Sequence, residues 1–131
     1  MKVKGFTLIE LMVVVLIVGI LAAASVPMMR GRIDSAKWSE ANATAGTVRS
    51  AVRVYFAEHG TSPTGALNVA ATQTALGFTD ADLTGTYFAP ADYSISSVDA
   101  NGNAVVAVTS DGSGNKPTAG TKTLTATGTW E

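Results

Sequence analysis

Hydrophobic and polar positions divide the chain into three patterns. From residue 6 to residue 26 only Glu10 interrupts an apolar run, and residues 11–29 carry no charge. Twenty-one helical residues rise roughly 30 Å, the thickness of a bilayer's hydrocarbon core, so this run predicts a helix long enough to span. Past Pro27 the pattern changes. Ile33, Ala41, Thr44, Ala45, Val48, Ala51, Val52, Tyr55 and Phe56 recur at three- and four-residue steps, the stripe of an amphipathic helix. Asp34, Lys37, Glu40, Arg49 and Arg53 fall mostly off that stripe, and Ala41, Ala43, Ala45 and Gly46 are small enough for a second backbone to come close. Gly60 followed by Pro63 is a stop signal. One helix from about Phe6 to about His59 is therefore expected. Pro27, which removes a backbone hydrogen bond, should kink or loosen it, and Gly19 is a second soft point.

The third pattern fills the rest. Residues 61–91 are rich in turn formers and weakly periodic, which predicts mostly loop with a short helical turn around residues 70–76. Residues 93–98 and 104–109 alternate across an Asn101-Gly102-Asn103 turn, the signature of a hairpin, and residues 121–127 alternate again. The fold class read from this is α+β: a long N-terminal helix packed on a small antiparallel sheet of about three strands. Tyr93, Ile95, Val106, Val108, Leu124 and Ala126 are the expected sheet side of the core.

Composition narrows the chemistry. Residues 1–59 hold seven basic and four acidic side chains, and residues 60–131 two basic and six acidic, so an acidic body follows a mildly basic, apolar stem. There is no cysteine, and the single histidine, His59, excludes a multi-histidine metal centre. A net charge of −1 without a basic stripe argues against specific nucleic-acid binding. Asp80, Asp82 and Asp92 have no neighbouring nucleophile and read as solvated loop charges. Asp111-Gly112-Ser113-Gly114-Asn115 lacks EF-hand spacing and reads as a loop. His59 reads as a partner for the helix C-terminal dipole, and Trp38, Tyr55 and Phe56 as packing aromatics. Asn42-Ala43-Thr44 fits a glycosylation pattern but falls on a helix. No catalytic residue, metal site or cofactor is expected, and the protein is not expected to be an enzyme.

Glu10 remains to be explained, because a carboxylate within a membrane span is costly and calls for a partner. A secretory signal peptide cut after Ala24 should have no charge in its apolar region. A plain anchor gives no clear orientation, with Lys2 and Lys4 before the run and Arg30, Arg32 and Lys37 after it.

Lys4-Gly5-Phe6-Thr7-Leu8-Ile9-Glu10-Leu11, followed by the apolar run, the Pro27 break and a long amphipathic helix, resembles the class III signal of the type IV pilin superfamily. The likeness covers about residues 2–59; beyond that only the layout is shared. The resemblance implies a leader, residues 1–5, removed by a membrane prepilin peptidase between Gly5 and Phe6, with N-methylation of Phe6. A mature chain of 126 residues and net charge −3 would remain. Residues 6–28 would form the transmembrane and filament-core helix. Residues 29–131 would form the head: amphipathic helix to about 59, loop over 60–91, and sheet over 92–131. In such assemblies Glu10 pairs with the freed amine of Phe6 on a neighbouring subunit and fixes register, and Gly19 and Pro27 let the packed helix loosen.

The implied function is a structural pilus subunit. It would be made as a single-pass precursor in the bacterial inner membrane, then polymerised into an extracellular filament. Its expected partners are further copies of itself, the prepilin peptidase, the inner-membrane assembly machinery and, before assembly, the lipid bilayer. A type II secretion pseudopilin is the alternative within the superfamily. Its major form carries calcium in C-terminal loops, and the missing acidic cluster here argues mildly against it. A secreted domain cut after Ala24 is the alternative of another class.

Overall fold

Helix α1 (Leu8–His59) runs for 52 residues, unbroken across both Gly19 and Pro27. The structure, a computed structural model, describes residue 1 and residues 4–131. Lys2, one of the two leader lysines, lies outside the described residues. The chain divides into two units, Met1–Ile33 and Asp34–Glu131.

In the first unit every described side chain is exposed. Helix α1 begins two residues later than the apolar run alone predicts, because Thr7 occupies the cap position. Ser25, the one hydroxyl deep in the apolar stretch, donates to the Leu21 carbonyl at 2.8 Å and so presents no unpaired donor on the helix surface.

In the second unit the residues of α1 from 34 onward bury Trp38, Ala41, Ala45, Val48 and Val52, a strict three–four alternation. The stripe therefore begins at Trp38. Ile33, expected on it, is 47% exposed. Ala41 and Ala45 are the small residues that admit a neighbouring backbone, whereas Ala43 is exposed and Gly46 has open space beside it.

Against this stripe lies a four-stranded antiparallel sheet in the order β1-β2-β3-β4: β1 (Gly65–Ala66), β2 (Tyr93–Val98), β3 (Ala104–Ser110) and β4 (Gly120–Leu124). Tyr93 and Ile95 from β2, Val106 and Val108 from β3 and Leu124 from β4 share the buried face, joined by Leu67, Leu76, Leu83 and Phe88. Turn chemistry closes the β2–β3 hairpin. The Asp99 carboxylate accepts from the Asn101 and Asn103 amides at 2.9 and 2.8 Å, and Gly102 takes a positive φ of 79°. An extra residue at Ser96 shifts the register between Ile95 and Ser97.

Two readings of the sequence change here. Residues 60–91 hold the helical turn expected around residues 70–76, as α2 (Ala70–Leu76), and in addition β1, α3 (Asp80–Leu83) and a 3₁₀ turn at Pro90–Asp92 where a loop was expected. The final strand stops at Leu124, not at residue 127, because the chain reverses over residues 125–129. Thr123 and Glu131 exchange both backbone hydrogen bonds, at 2.7 and 3.0 Å, and Gly128 supplies the φ of 91°. Ala126 consequently leaves the core face and is only half-buried.

Candidate processing and assembly site

The first helical turn is organised around Glu10. Thr7 is the cap residue and Glu10 stands three positions later, the spacing of a capping box. The Thr7 amide and hydroxyl both donate to Oε2 of Glu10, at 2.9 and 2.8 Å. The Glu10 amide donates back to the Thr7 hydroxyl at 3.4 Å. Two of the amides that every helix N-terminus leaves without intrahelical partners are thus paired locally. Among the described residues no donor reaches Oε1, so half of the carboxylate stays open. The sequence reading missed Thr7, although Thr-x-x-Glu ahead of an apolar run is a legible signal.

Gly5 and Phe6 lie in non-helical backbone just before this cap. Phe6 is 81% exposed, and nothing comes within 4 Å of the position where a side chain on Gly5 would begin. Among the described residues nothing crowds the peptide bond between them. Gly19, also without neighbours, and Pro27 sit inside α1. The structure brings Glu10 together with Thr7; it does not bring Gly19 or Pro27 to either.

The polar groups of the second unit serve architecture. Glu40, expected off the stripe, reaches over to accept from three successive backbone amides, those of Thr86, Tyr87 and Phe88, at 3.1, 2.9 and 3.2 Å. Gly85 makes room for it: a Cβ there would fall 2.2 Å from the Glu40 carboxylate. Asp82 caps α3 by accepting from the Thr79 amide and hydroxyl at 2.8 and 2.6 Å, and those bonds hold its carboxyl below the usual range. Asp80 accepts from Gln73 at 2.7 Å. Asp92 accepts from the Ala89 amide at 2.8 Å and from the Lys116 ammonium at 2.7 Å, and the latter bond raises Lys116. None of the three carboxylates faces another as an acid–base pair.

Asp111 turns its own loop by accepting from the Ser113 amide and hydroxyl, at 2.9 and 2.8 Å. Asp34 ties α1 to the same loop by accepting from the amide and hydroxyl of Thr118, which lower its carboxyl. His59 bonds the Tyr55 carbonyl at 3.1 Å and stacks on the Tyr55 ring at 4.1 Å, as a residue closing a helix C-terminus does. Among the described residues no group of three or more His, Cys, Asp or Glu side chains is placed to hold a metal ion.

Known proteins resemble part of this chain. A family model described as the prokaryotic N-terminal methylation motif matches residues 1–26. The fimbrial protein EcpC of Eikenella corrodens is 45% identical over 60 residues, which cover 46% of this chain and 39% of that protein. The type IV major pilin protein PilE1 of Neisseria gonorrhoeae is 50% identical over 60 residues, 46% of this chain and 36% of its own length. The type IV narrow pilus major component PilA5 of Thermus thermophilus is 48% identical over 54 residues, 41% of this chain and 47% of its own. The match thus spans less than half the length of each of these curated relatives. Together the methylation motif and these relatives support the type IV pilin superfamily.

Proposed function

We propose that the protein is a structural pilus subunit, a reading supported by the methylation motif over residues 1–26 and by the likeness to type IV major pilins over 60 residues. It is made as a membrane-inserted precursor, cut between Gly5 and Phe6, N-methylated at Phe6 and polymerised through the first half of α1. The observation that carries this reading is the first unit itself. It is an exposed, span-length apolar helix in which Glu10 is the single charge between Leu8 and Met29, and the methylation motif covers its first part, over residues 1–26.

Such a surface is stable only in hydrocarbon or against further apolar helices, and the two environments are the two stages of the reading. In the bilayer the helix stands alone, with Glu10 half satisfied by Thr7. In the filament a neighbouring copy brings the amine freed by cleavage to the open oxygen of Glu10. An ion pair of this sort adds little stability for its desolvation, but it penalises every register in which either charge is left unpaired. Continuous helix through residue 24 also weighs against an ordinary signal-peptide cut after Ala24, since a peptidase needs extended backbone at its site.

Intact mass and N-terminal sequencing of protein sheared from the cell surface test the reading. A chain beginning at methylated Phe6 is expected. One beginning at Ser25 would mean that the apolar run is discarded, and the filament with it.

A further inference from the structure

Lys122 stands at a position where the sheet asks for an apolar residue. It pairs with Val108 in register and precedes Leu124 by two, so it lies on the same face of β4 as Leu124, the face that carries the core. It is nonetheless a lysine, half-buried, and among the described residues no carboxylate lies within 4 Å of its ammonium. Its ammonium sits 6.0 Å from the centre of the Trp38 ring. Packing would be better served by valine here, so the cation needs another explanation.

Beside it is a hollow of about 210 Å³ lined by Ser35, Trp38, Ser39, Asn42, Lys122 and Trp130. The chain has two tryptophans and both are here, their rings 6.2 Å apart and tilted by 55°. Trp38 is 8% exposed and forms the floor; Trp130 is half-exposed and forms a wall. Ser35, Ser39 and Asn42 follow one another at four- and three-residue steps along α1 and so form one polar edge. The Ser39 hydroxyl donates to the Ser35 carbonyl at 3.1 Å, and among the described residues the Asn42 amide has no partner.

The hollow therefore offers an aromatic wall, a row of neutral polar groups and a lone cation, with no acid in its lining. Each matches one part of a single ligand chemistry. The apolar face of a pyranose ring, with its polarised C–H bonds, lies against the negative face of an indole. Its hydroxyls need neutral groups that both donate and accept, which serine and asparagine supply. A carboxylate on the ring would answer the ammonium with a charge-assisted bond. At about 210 Å³ the hollow is below the size of clefts that enclose whole drug-sized ligands, so it fits one ring of a longer chain.

We propose that this hollow binds acidic sugar residues of the hexuronic type within an extracellular polysaccharide. The proposal does not depend on the pilus reading. Should the chain form a filament, the site would recur on every subunit, and weak single-ring binding would add up by avidity.

Because both tryptophans line the site, their fluorescence reports on it. The full chain, held in a zwitterionic detergent without a sugar head group, is titrated with a galacturonic acid trimer and with the neutral galactose trimer. The acidic trimer is expected to shift the emission saturably and to bind at least about tenfold more tightly, the factor of one charge-assisted hydrogen bond. Lys122→Gln should abolish that preference, Lys122→Arg should keep it, and Asn42→Ala should weaken both ligands while near-ultraviolet dichroism stays unchanged. Equal binding of the two trimers, an unaltered preference in Lys122→Gln, or no saturable shift would overturn the proposal. So would a shift that follows protein concentration without sugar, which would mean that a second copy fills the hollow.

Discussion

The two ends of helix α1 obey opposite rules. Between Leu8 and Ile33 every side chain is apolar or small with few exceptions and every one is exposed; past Asp34 polar residues are common and Trp38, Ala41, Ala45, Val48 and Val52 are buried. Apolar content is thus a poor guide to where a core forms. The second half folds because polar residues interrupt it at helical spacing, leaving one face for a sheet. The first half has no such face, and an apolar surface of this extent is rarely left open on a soluble monomer. One half is complete within the chain, and on the proposed reading the other is completed by a bilayer or by other copies.

The sharpest way to break this contrast is to shorten a side chain in each half. Phe88 packs 5.2 Å from Trp38 and 6.1 Å from Tyr93, and Phe88→Ala should lower stability by about 3–5 kcal/mol. Leu16→Ala, at an exposed position of the first unit, should leave it within about 0.5 kcal/mol. Urea unfolding of the full chain in micelles, followed by tryptophan emission, separates the two.

A step smaller is the Glu40 seat. Glu40→Ala strands three backbone amides and should cost about 2–3 kcal/mol in the same assay. Gly85→Ala pushes against that carboxylate, so the double variant should fall well short of the sum of the two single losses.

In the first unit Thr7→Ala removes one side of the capping box, worth about 1 kcal/mol. Amide exchange at Glu10 should then quicken about fivefold while urea unfolding of the second unit stays the same.

The smallest effect per residue is acid sensitivity. Asp34, Asp99 and Asp111 are held below their ordinary 3.8 chiefly by hydrogen bonds from Thr118, Asn103 and Ser113, respectively. A lowered folded-state value stabilises above the ordinary value and is lost as pH falls through it. Melting temperature should therefore hold from neutral pH to about pH 5 and drop below about pH 4, and Asp99→Asn should flatten that drop. At the other extreme, burial pushes Tyr93 up to about 12, so stability should fall again as pH rises from about 10.

The long helix, its apolar and amphipathic halves and the β2–β3 hairpin were legible because each is a local pattern: a run, a period of three and four, and an Asn-Gly turn. Within residues 60–91 the helical turn of α2 was legible too, but the rest of the order was not. It depends on the Glu40 carboxylate, which stands more than 40 positions upstream of the amides it binds, and on short caps such as Thr79 with Asp82. The end of β4 misled for a different reason. Threonine alternation continues to residue 127 and outweighs Gly128, whose positive φ turns the chain back so that Trp130 bridges to Leu124. Trp130 was invisible as a site residue because the fold, not the spacing, brings it to Trp38.

Each strand of the sheet neighbours the strand next to it in sequence, in the order β1-β2-β3-β4. The two reversals that join β2, β3 and β4 close short loops, which cost less entropy to form than the 26-residue connection from β1 to β2. With no cysteine to oxidise or shuffle, nothing covalent has to be found again after unfolding. A head pulled open could therefore rebuild itself hairpin by hairpin, with no oxidant and no enzyme, as soon as the pull is released.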